Sequence, residues 1–246
     1  MQELLNYKSV LLDGAWLTMQ VALLSLLLAI TLGLLGALAK ISHSVFLRTI
    51  ATLYTTIIRG IPDLILMLLI FFGGQILINN ISYQTNEMLN NYFLSSDANH
   101  EWYSYLPDYI DISPYFAGIM TIGFIFGAYM AETFRGAILS VEKGQIEAAK
   151  AYGMSKYKIF FRVTFPQMMR HALPGIGNNW LVLLKTTALV SIIGLQDMVK
   201  IAGDASGSTQ KPFTFYLAVA FVFLFFTATS SAFLKRLEDK YSIQTR

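Results

Sequence analysis

The feature that most constrains this chain is a long stretch without charge near its amino terminus. No Asp, Glu, Lys or Arg occurs from Gly14 to Ala39. About 20 apolar residues in a helix cross the roughly 30 Å hydrocarbon core of a bilayer, and a helix pairs its own backbone amides where water is absent. Residues 1–10 contain one acid and one base, unlike the basic start of a cleaved signal peptide. The stretch therefore predicts a membrane-spanning helix.

Further apolar stretches repeat this pattern along the chain. Hydrophobic residues make up 55% of the sequence and charged residues 13%, about half the charged share of an average soluble domain. The sequence predicts an all-α membrane protein with a single transmembrane domain over residues 1–246. Its five spans are expected near residues 14–39, 60–82, 112–136, 172–196 and 212–235.

The distribution of basic residues predicts the orientation of these spans. Of the 18 Lys and Arg residues, 13 lie between spans one and two, between spans three and four, or after span five. The connection from Asn79 to Asp111 contains five acids, including Asp97 and Glu101, and no base. Because basic loops stay in the cytoplasm, we expect the amino terminus outside, which is the periplasm in a bacterial inner membrane, and the carboxyl terminus in the cytoplasm.

The basic loop at about residues 140–170 carries a compact local pattern. Glu147, Ala148 and Ala149 lie between Gly144 and Gly153. Alanine favours helix and glycine commonly ends one, so a helix of about two turns, roughly 12 Å long, is expected here. Ser155 can cap a following helix, which Pro166 should end. By itself this pattern also fits an amphipathic segment resting on lipid headgroups.

The whole string GAYMAETFRGAILSVEKGQIEAAKAYG, followed by Pro166, resembles the "EAA" loop of permeases in binding-protein-dependent ABC importers of polar amino acids. The resemblance implies a type I importer fold and a loop that docks into a groove of a separate ATPase. Glu147, Ala148, Ala149 and Gly153 would form this coupling contact. It further implies two ATP-binding subunits that bind ATP-Mg, a second permease that is identical or paralogous, and a periplasmic solute-binding protein.

The resemblance extends from about residue 14 to 235. Arg59-Gly60-Ile61-Pro62 is similar to the R-G-x-P element of this branch, and residues 178–195, including Lys185, resemble its fourth span. These segments are most similar to the Q-type permeases of histidine/lysine/arginine/ornithine importers. The expected function is import of polar, and specifically basic, amino acids across the bacterial inner membrane.

Charged residues at membrane depth are candidates for a substrate path because inserting each costs about 2.5–3.5 kcal/mol near the bilayer centre. Glu132 and Arg135 are three residues apart and can pair on one helical face. Asp63 suits either a cationic substrate or a helix amino terminus. Lys185 can bind unwound backbone, pair with Glu132, or neutralise a substrate carboxylate.

Several other functions lack sequence support. The chain has no Cys, and its three His residues are far apart in sequence, so neither thiol chemistry nor a metal site is expected. No P-loop motif G-x-x-x-x-G-K-[ST] occurs, which places ATP hydrolysis on another chain and predicts that this one is not an enzyme. The alternatives are a homo-oligomeric channel, a membrane-embedded enzyme, and a permease for other polar amino acids such as glutamine or glutamate.

Overall fold

The computed structural model describes residues 2–96 and 104–241, and within these ranges all regular structure is helical. The helices are α1 (Gln2–Asn6), α2 (Lys8–Ile41), α3 (Val45–Gly60), α4 (Asp63–Ser96), α5 (Pro114–Leu139), α6 (Lys143–Ala151), α7 (Lys156–Ile159), α8 (Phe165–Thr186), α9 (Met198–Thr209) and α10 (Pro212–Tyr241). A π turn (Phe160–Thr164) joins α7 to α8, and a 3₁₀ segment (Thr187–Ile193) extends α8.

Five helical segments in the described residues are long and apolar enough to cross a membrane, which confirms the predicted number. They are α2, α4, α5, the continuous run from α7 through the 3₁₀ segment, and α10. Their most apolar windows have mean hydropathies between 1.4 and 2.6.

The centre of the fold is the parallel pair α2 and α5. Small residues let the two backbones approach, since a Cβ added at Gly33 would lie 2.4 Å from the Cβ of Met130. Gly123 and Gly127 of α5 face Leu28 and Leu32 of α2 in the same manner. Close approach at small residues provides van der Waals contact in a bilayer, where lipid tails remove most of the hydrophobic drive between helices.

The outer helices α4 and α10 are far less buried than α5. Large apolar side chains such as Leu69, Phe72, Phe221 and Phe225 are exposed on them. In a membrane these faces contact lipid or another subunit, because apolar side chains lose nothing in contact with hydrocarbon.

The second long helix differs from its predicted extent. It continues to Ser96, well beyond residue 82, so that residues 79–96 of the expected outer connection are helical. Polar side chains on this extension bind the segment that leads back to α5. The side-chain amide of Asn86 accepts a hydrogen bond from the backbone N–H of Leu106 and donates one to the Leu106 carbonyl. Asp97 and Glu101 lie outside the described residues.

Two amphipathic helices, α3 and α9, lie in the connections between the predicted spans. In α3 the buried residues are Ala51, Thr55 and Ile58, which share one face, while much of the remaining surface is exposed. A search for long uncharged stretches does not find this helix, because Arg48 and Arg59 interrupt its sequence and only a narrow face of it is apolar.

The prediction that Pro166 ends the helix after Ser155 is wrong. Ser155 does cap that helix, since its hydroxyl accepts a hydrogen bond from the amide of Lys158 at 3.4 Å. Pro166 instead lies in the first turn of α8. Proline cannot donate a backbone hydrogen bond to the preceding turn. The helix accommodates this missing bond with the π turn before Pro166 and continues into α8.

Candidate coupling helix and charged clusters

Helix α6 contains three of the four predicted coupling residues, Glu147, Ala148 and Ala149, and Gly153 follows its end. It runs from Lys143 to Ala151 and packs through its half-buried Ile146 and buried Ala149. Glu147 and Ala148 are exposed, and the Glu147 carboxylate forms no hydrogen bond or ion pair within the described residues. The exposed face of α6 therefore presents a free carboxylate next to the small methyl group of Ala148.

Gly153 closes α6 in the left-handed conformation, with φ of +72°. The amide of Met154 donates to the carbonyl of Ala149 at 3.1 Å, and the amide of Gly153 donates to that of Lys150 at 2.9 Å. These two bonds form a Schellman motif, which satisfies the last carbonyls of the helix and reverses the chain. A residue with a side chain would be strained here, so glycine sets the length of α6.

Exposed aromatic residues flank this helix. Tyr152, which follows α6 directly, is 89% exposed. On the next turn of chain the rings of Tyr157 and Phe161 lie 4.5 Å apart, and both are exposed. Aromatic rings are enriched in the cores of protein interfaces, and these three follow the Glu147 segment closely in sequence.

A charged cluster joins three helices at the end of α2. Arg135 donates from its Nε to one carboxylate oxygen of Glu132 at 2.9 Å, as the spacing predicted. The other oxygen forms a salt bridge with Lys40 of α2. Lys40 also donates to the hydroxyl of Thr55 in α3 at 2.7 Å. With 11% of its side chain exposed, Lys40 is largely withdrawn from solvent.

Lys40 is the residue of this cluster that reasoning from the sequence missed. It is one of the 13 basic residues whose distribution predicts the orientation of the spans, and its position in the sequence indicates no partner. A signal was available: Lys40 and Glu132 both lie at the predicted inner ends of their spans, so they share a depth in the membrane. The spacing of residues along the sequence does not show that α2 and α5 are neighbours, and this contact is what brings Lys40 to Glu132.

The remaining path candidates are separate from this cluster. Asp63 begins α4 and is half-buried, and no salt bridge engages it in the described part of the chain. Four residues before Asp63, the guanidinium of Arg59 lies 5.5 Å from the ring centroid of Tyr129.

Lys185 is exposed near the end of α8 and, within residues 2–96 and 104–241, forms neither an ion pair nor a hydrogen bond. Both oxygens of Glu132 are already used by Lys40 and Arg135.

Asp197 is a buried carboxyl group that the sequence did not single out. It caps α9, accepting a hydrogen bond from the amide of Lys200 at 2.9 Å. Only 1% of the residue is exposed, and its second carboxylate oxygen is buried with no hydrogen-bond partner among the residues that the structure describes. Burial raises the pKa of Asp197 to about 6, although the backbone hydrogen bonds act in the opposite direction.

Residues 29–243 match the model of the family described as "Binding-protein-dependent transport system inner membrane component". The chain belongs to this family. It is a multi-pass protein of the inner membrane and a permease of the polar amino-acid ABC importers.

Relatives across this permease family align over nearly the full length. The chain is 45% identical to the histidine/lysine/arginine/ornithine transport system permease protein HisQ of Escherichia coli (strain K12), over 98% of this chain and 96% of HisQ. It is 37% identical to the octopine transport system permease protein OccQ of Rhizobium radiobacter, covering 94% and 89% of the two chains. The arginine ABC transporter permease protein ArtQ of Escherichia coli is 35% identical, with 93% of each covered.

Solved structures of permeases share the fold. One chain of an amino acid ABC transporter crystallised with histidines matches with a TM-score of 0.75 and 27% identity, covering 96% of both chains. A chain of the inward-facing methionine transporter MetNI matches with a TM-score of 0.70 over 96% of this chain and 98% of its own length, at 16% identity. The second likeness shows the fold alone.

Proposed function

We propose that this permease carries basic amino acids inward and that α6 couples it to ATP hydrolysis on separate subunits. The substrate class is supported by the names of its relatives, which transport histidine, lysine, arginine and ornithine, octopine, or arginine. The complete assembly would contain two ATP-binding subunits with ATP-Mg, a second permease and a periplasmic binding protein.

The observation that carries the coupling role is the geometry of α6. It is a short helix with a fixed carboxyl end, an exposed Glu147–Ala148 surface and neighbouring exposed aromatic rings. A rigid-body movement of the ATPase subunits would move α6. The direct connection through α7 and the π turn would then transmit that movement to α8.

The orientation that this role needs places α6 in the cytoplasm with the carboxyl terminus, and the amino terminus in the periplasm. The chain has no cysteine, so a single thiol can report on each side. We expect Glu147→Cys to be labelled by a membrane-impermeant maleimide only in broken cells, and Asp111→Cys to be labelled in intact cells. Labelling of Glu147→Cys from outside would rule out the coupling role.

The coupling contact is tested by charge reversal on α6. Glu147→Arg should abolish co-purification of the ATPase subunits and transport. Glu142→Arg is the charge-matched control, because Glu142 is also exposed but precedes α6 as its N-cap residue and so lies outside the helix that carries the Glu147–Ala148 surface. Equal retention of the ATPase by both variants would show that α6 does not form the contact.

The homo-oligomeric channel makes a different prediction in the same experiment. A channel would conduct substrate without ATP and without an ATPase, so Glu147→Arg would leave flux unchanged. Uptake that needs ATP and is lost with Glu147→Arg, but kept with Glu142→Arg, separates an importer from a channel.

A further inference from the structure

Helices α8 and α10 leave an apolar groove along the line where they meet. A cavity of about 440 Å³ lies between the start of α8 and the end of α10. A second cavity of about 410 Å³ follows it along the same two helices and reaches α2. The first is lined by Phe165, Met169, Arg170, Leu173, Leu237 and Tyr241.

The groove has the length of one leaflet. On α10 its lining runs from Tyr241 to Thr229, which corresponds to about 18 Å of helix. Half of a roughly 30 Å hydrocarbon core is about 15 Å. An acyl chain that entered beside Tyr241 would therefore end near Trp180 of α8, which lines the second cavity.

The side chains of the groove differ from those that this fold uses between helices. The α2–α5 contact is built on Gly33, Gly123 and Gly127, which bring backbones together. Gly177 of α8, against which Leu234 packs, lines neither of the two cavities. Their lining consists mainly of large apolar side chains, which suit a flexible hydrocarbon chain better than a closely packed partner helix.

One end of the groove carries unpaired positive charge. Arg170 is exposed and, in the part of the chain that the structure describes, forms no salt bridge or hydrogen bond. The ammonium of Lys240 lies 6.0 Å from the ring centroid of Tyr241, which lines the same cavity. The neighbouring acids Glu238 and Asp239 are not part of the lining.

We propose that this groove is a binding site for an anionic phospholipid. The phosphate would lie against Arg170 at the headgroup level, and one acyl chain would follow the α8–α10 line to Trp180. Basic pockets between membrane helices bind anionic headgroups because charge attraction adds to the burial of the chain, by about 1 kcal/mol for each basic residue near the surface.

Tryptophan fluorescence reports on this site directly. The chain has three Trp residues: Trp16, Trp102 and Trp180. Trp180 is 8% exposed and lines the groove, whereas Trp16 is 64% exposed on the surface of α2. Full-length chains that retain only Trp180 or only Trp16 would be placed in bilayers of phosphatidylcholine with increasing brominated phosphatidylglycerol, or with brominated phosphatidylcholine.

We expect Trp180 to be quenched at low mole fractions of brominated phosphatidylglycerol, with an about fivefold preference over brominated phosphatidylcholine. Trp16 should be quenched equally by both lipids, in proportion to their content. Arg170→Gln should abolish the preference at Trp180, and Arg48→Gln, which removes an exposed base on α3, should leave it unchanged.

Two results would overturn the proposal. Equal quenching of Trp180 by both lipids would mean that the groove meets bulk lipid without selecting a headgroup. Loss of all Trp180 quenching when the chain is assembled with a second permease, while Trp16 is still quenched, would show that a protein subunit covers the groove.

Discussion

Lys40 at the end of α2 forms a salt bridge with Glu132 of α5, and Arg135 binds the other oxygen of the same carboxylate. Since Lys40 also donates to Thr55, this charged cluster links α2, α3 and α5. Removing the Glu132 carboxylate would leave both Lys40 and Arg135 without their anionic partner. Of the three charged residues, Glu132 is therefore the one whose loss should destabilise the fold most.

Glu132→Gln should lower the thermal unfolding temperature of the purified permease more than Arg135→Gln does. The first change leaves Lys40 unpaired in a largely buried position, and breaking a buried pair costs up to about 3–5 kcal/mol, whereas Arg135 is partly exposed. Lys40→Met combined with Glu132→Leu should cost less than the sum of the single changes. Additive effects would show that the two residues are not coupled.

Gly153→Ala should weaken association with the ATPase subunits, while Gly144→Ala should not. At either position an added Cβ would meet no atom of the described residues within 4 Å, but of the two glycines only Gly153 has a positive φ, of +72°. An L-residue in that conformation costs about 1–2 kcal/mol, which would loosen the end of α6. Co-purification yield and transport rate measure the difference, and identical behaviour of the two variants would contradict the role given to the Schellman motif.

Gly33→Ala should destabilise the fold by about 1–3 kcal/mol through overpacking. A Cβ at Gly33 would lie 2.4 Å from the Cβ of Met130 and 3.0 Å from its carbonyl carbon, so backbone would have to move. Gly136→Ala is the control on α5, since no atom in the described part of the chain lies within 4 Å of a Cβ there, and alanine favours helix. Chemical unfolding in detergent compares the two, and a Gly33→Ala protein as stable as the control would contradict the close α2–α5 contact.

Asp197 should make stability depend on pH in a defined direction. Its pKa is raised to about 6 in the folded chain, from about 3.9 in an unfolded one. Between these values the folded state binds the proton more tightly, so stability falls as pH rises from about 4 to about 6 and stays lower above that. Asparagine cannot ionise but still caps a helix, so Asp197→Asn should remove this dependence.

The measurement for Asp197 is thermal unfolding of both proteins at pH 4.5 and 7.5. Relative to the Asn variant, the native chain should lose stability at the higher pH. Asp197→Ala serves as the control for capping, and should lose about 1 kcal/mol at both pH values. A native chain that gained stability with pH relative to Asn would reverse the assigned sign.

Asp63→Asn tests whether a carboxylate at the start of α4 contributes to transport of cations. If Asp63 attracts a cationic substrate, the variant should show a several-fold higher KM for arginine uptake with ATPase association unchanged. If it serves only the helix amino terminus, uptake should be unaltered, because asparagine also suits that position. Unchanged arginine kinetics would remove Asp63 from the substrate path.

Local signals in the sequence determined the membrane character, the five spans and the short helix around Glu147. Long uncharged stretches need no tertiary information, since a bilayer demands helices wherever such stretches occur. The glycine at position 153 likewise specifies a helix end by its own conformational freedom. The Glu132–Arg135 pair was equally accessible, because both residues lie on one turn of one helix.

Tertiary structure alone decided which helices are neighbours, and with that the partners of each charge. Lys40 and Glu132 are 92 residues apart, and no periodicity links them. Asp197 became notable only because packing buried it and left its second oxygen without a hydrogen-bond partner in residues 2–96 and 104–241. The extension of α4 to Ser96 depends on bonds from Asn86 to a returning segment 20 residues away. Such contacts come from how helices stack in three dimensions, which composition and spacing along one helix do not encode.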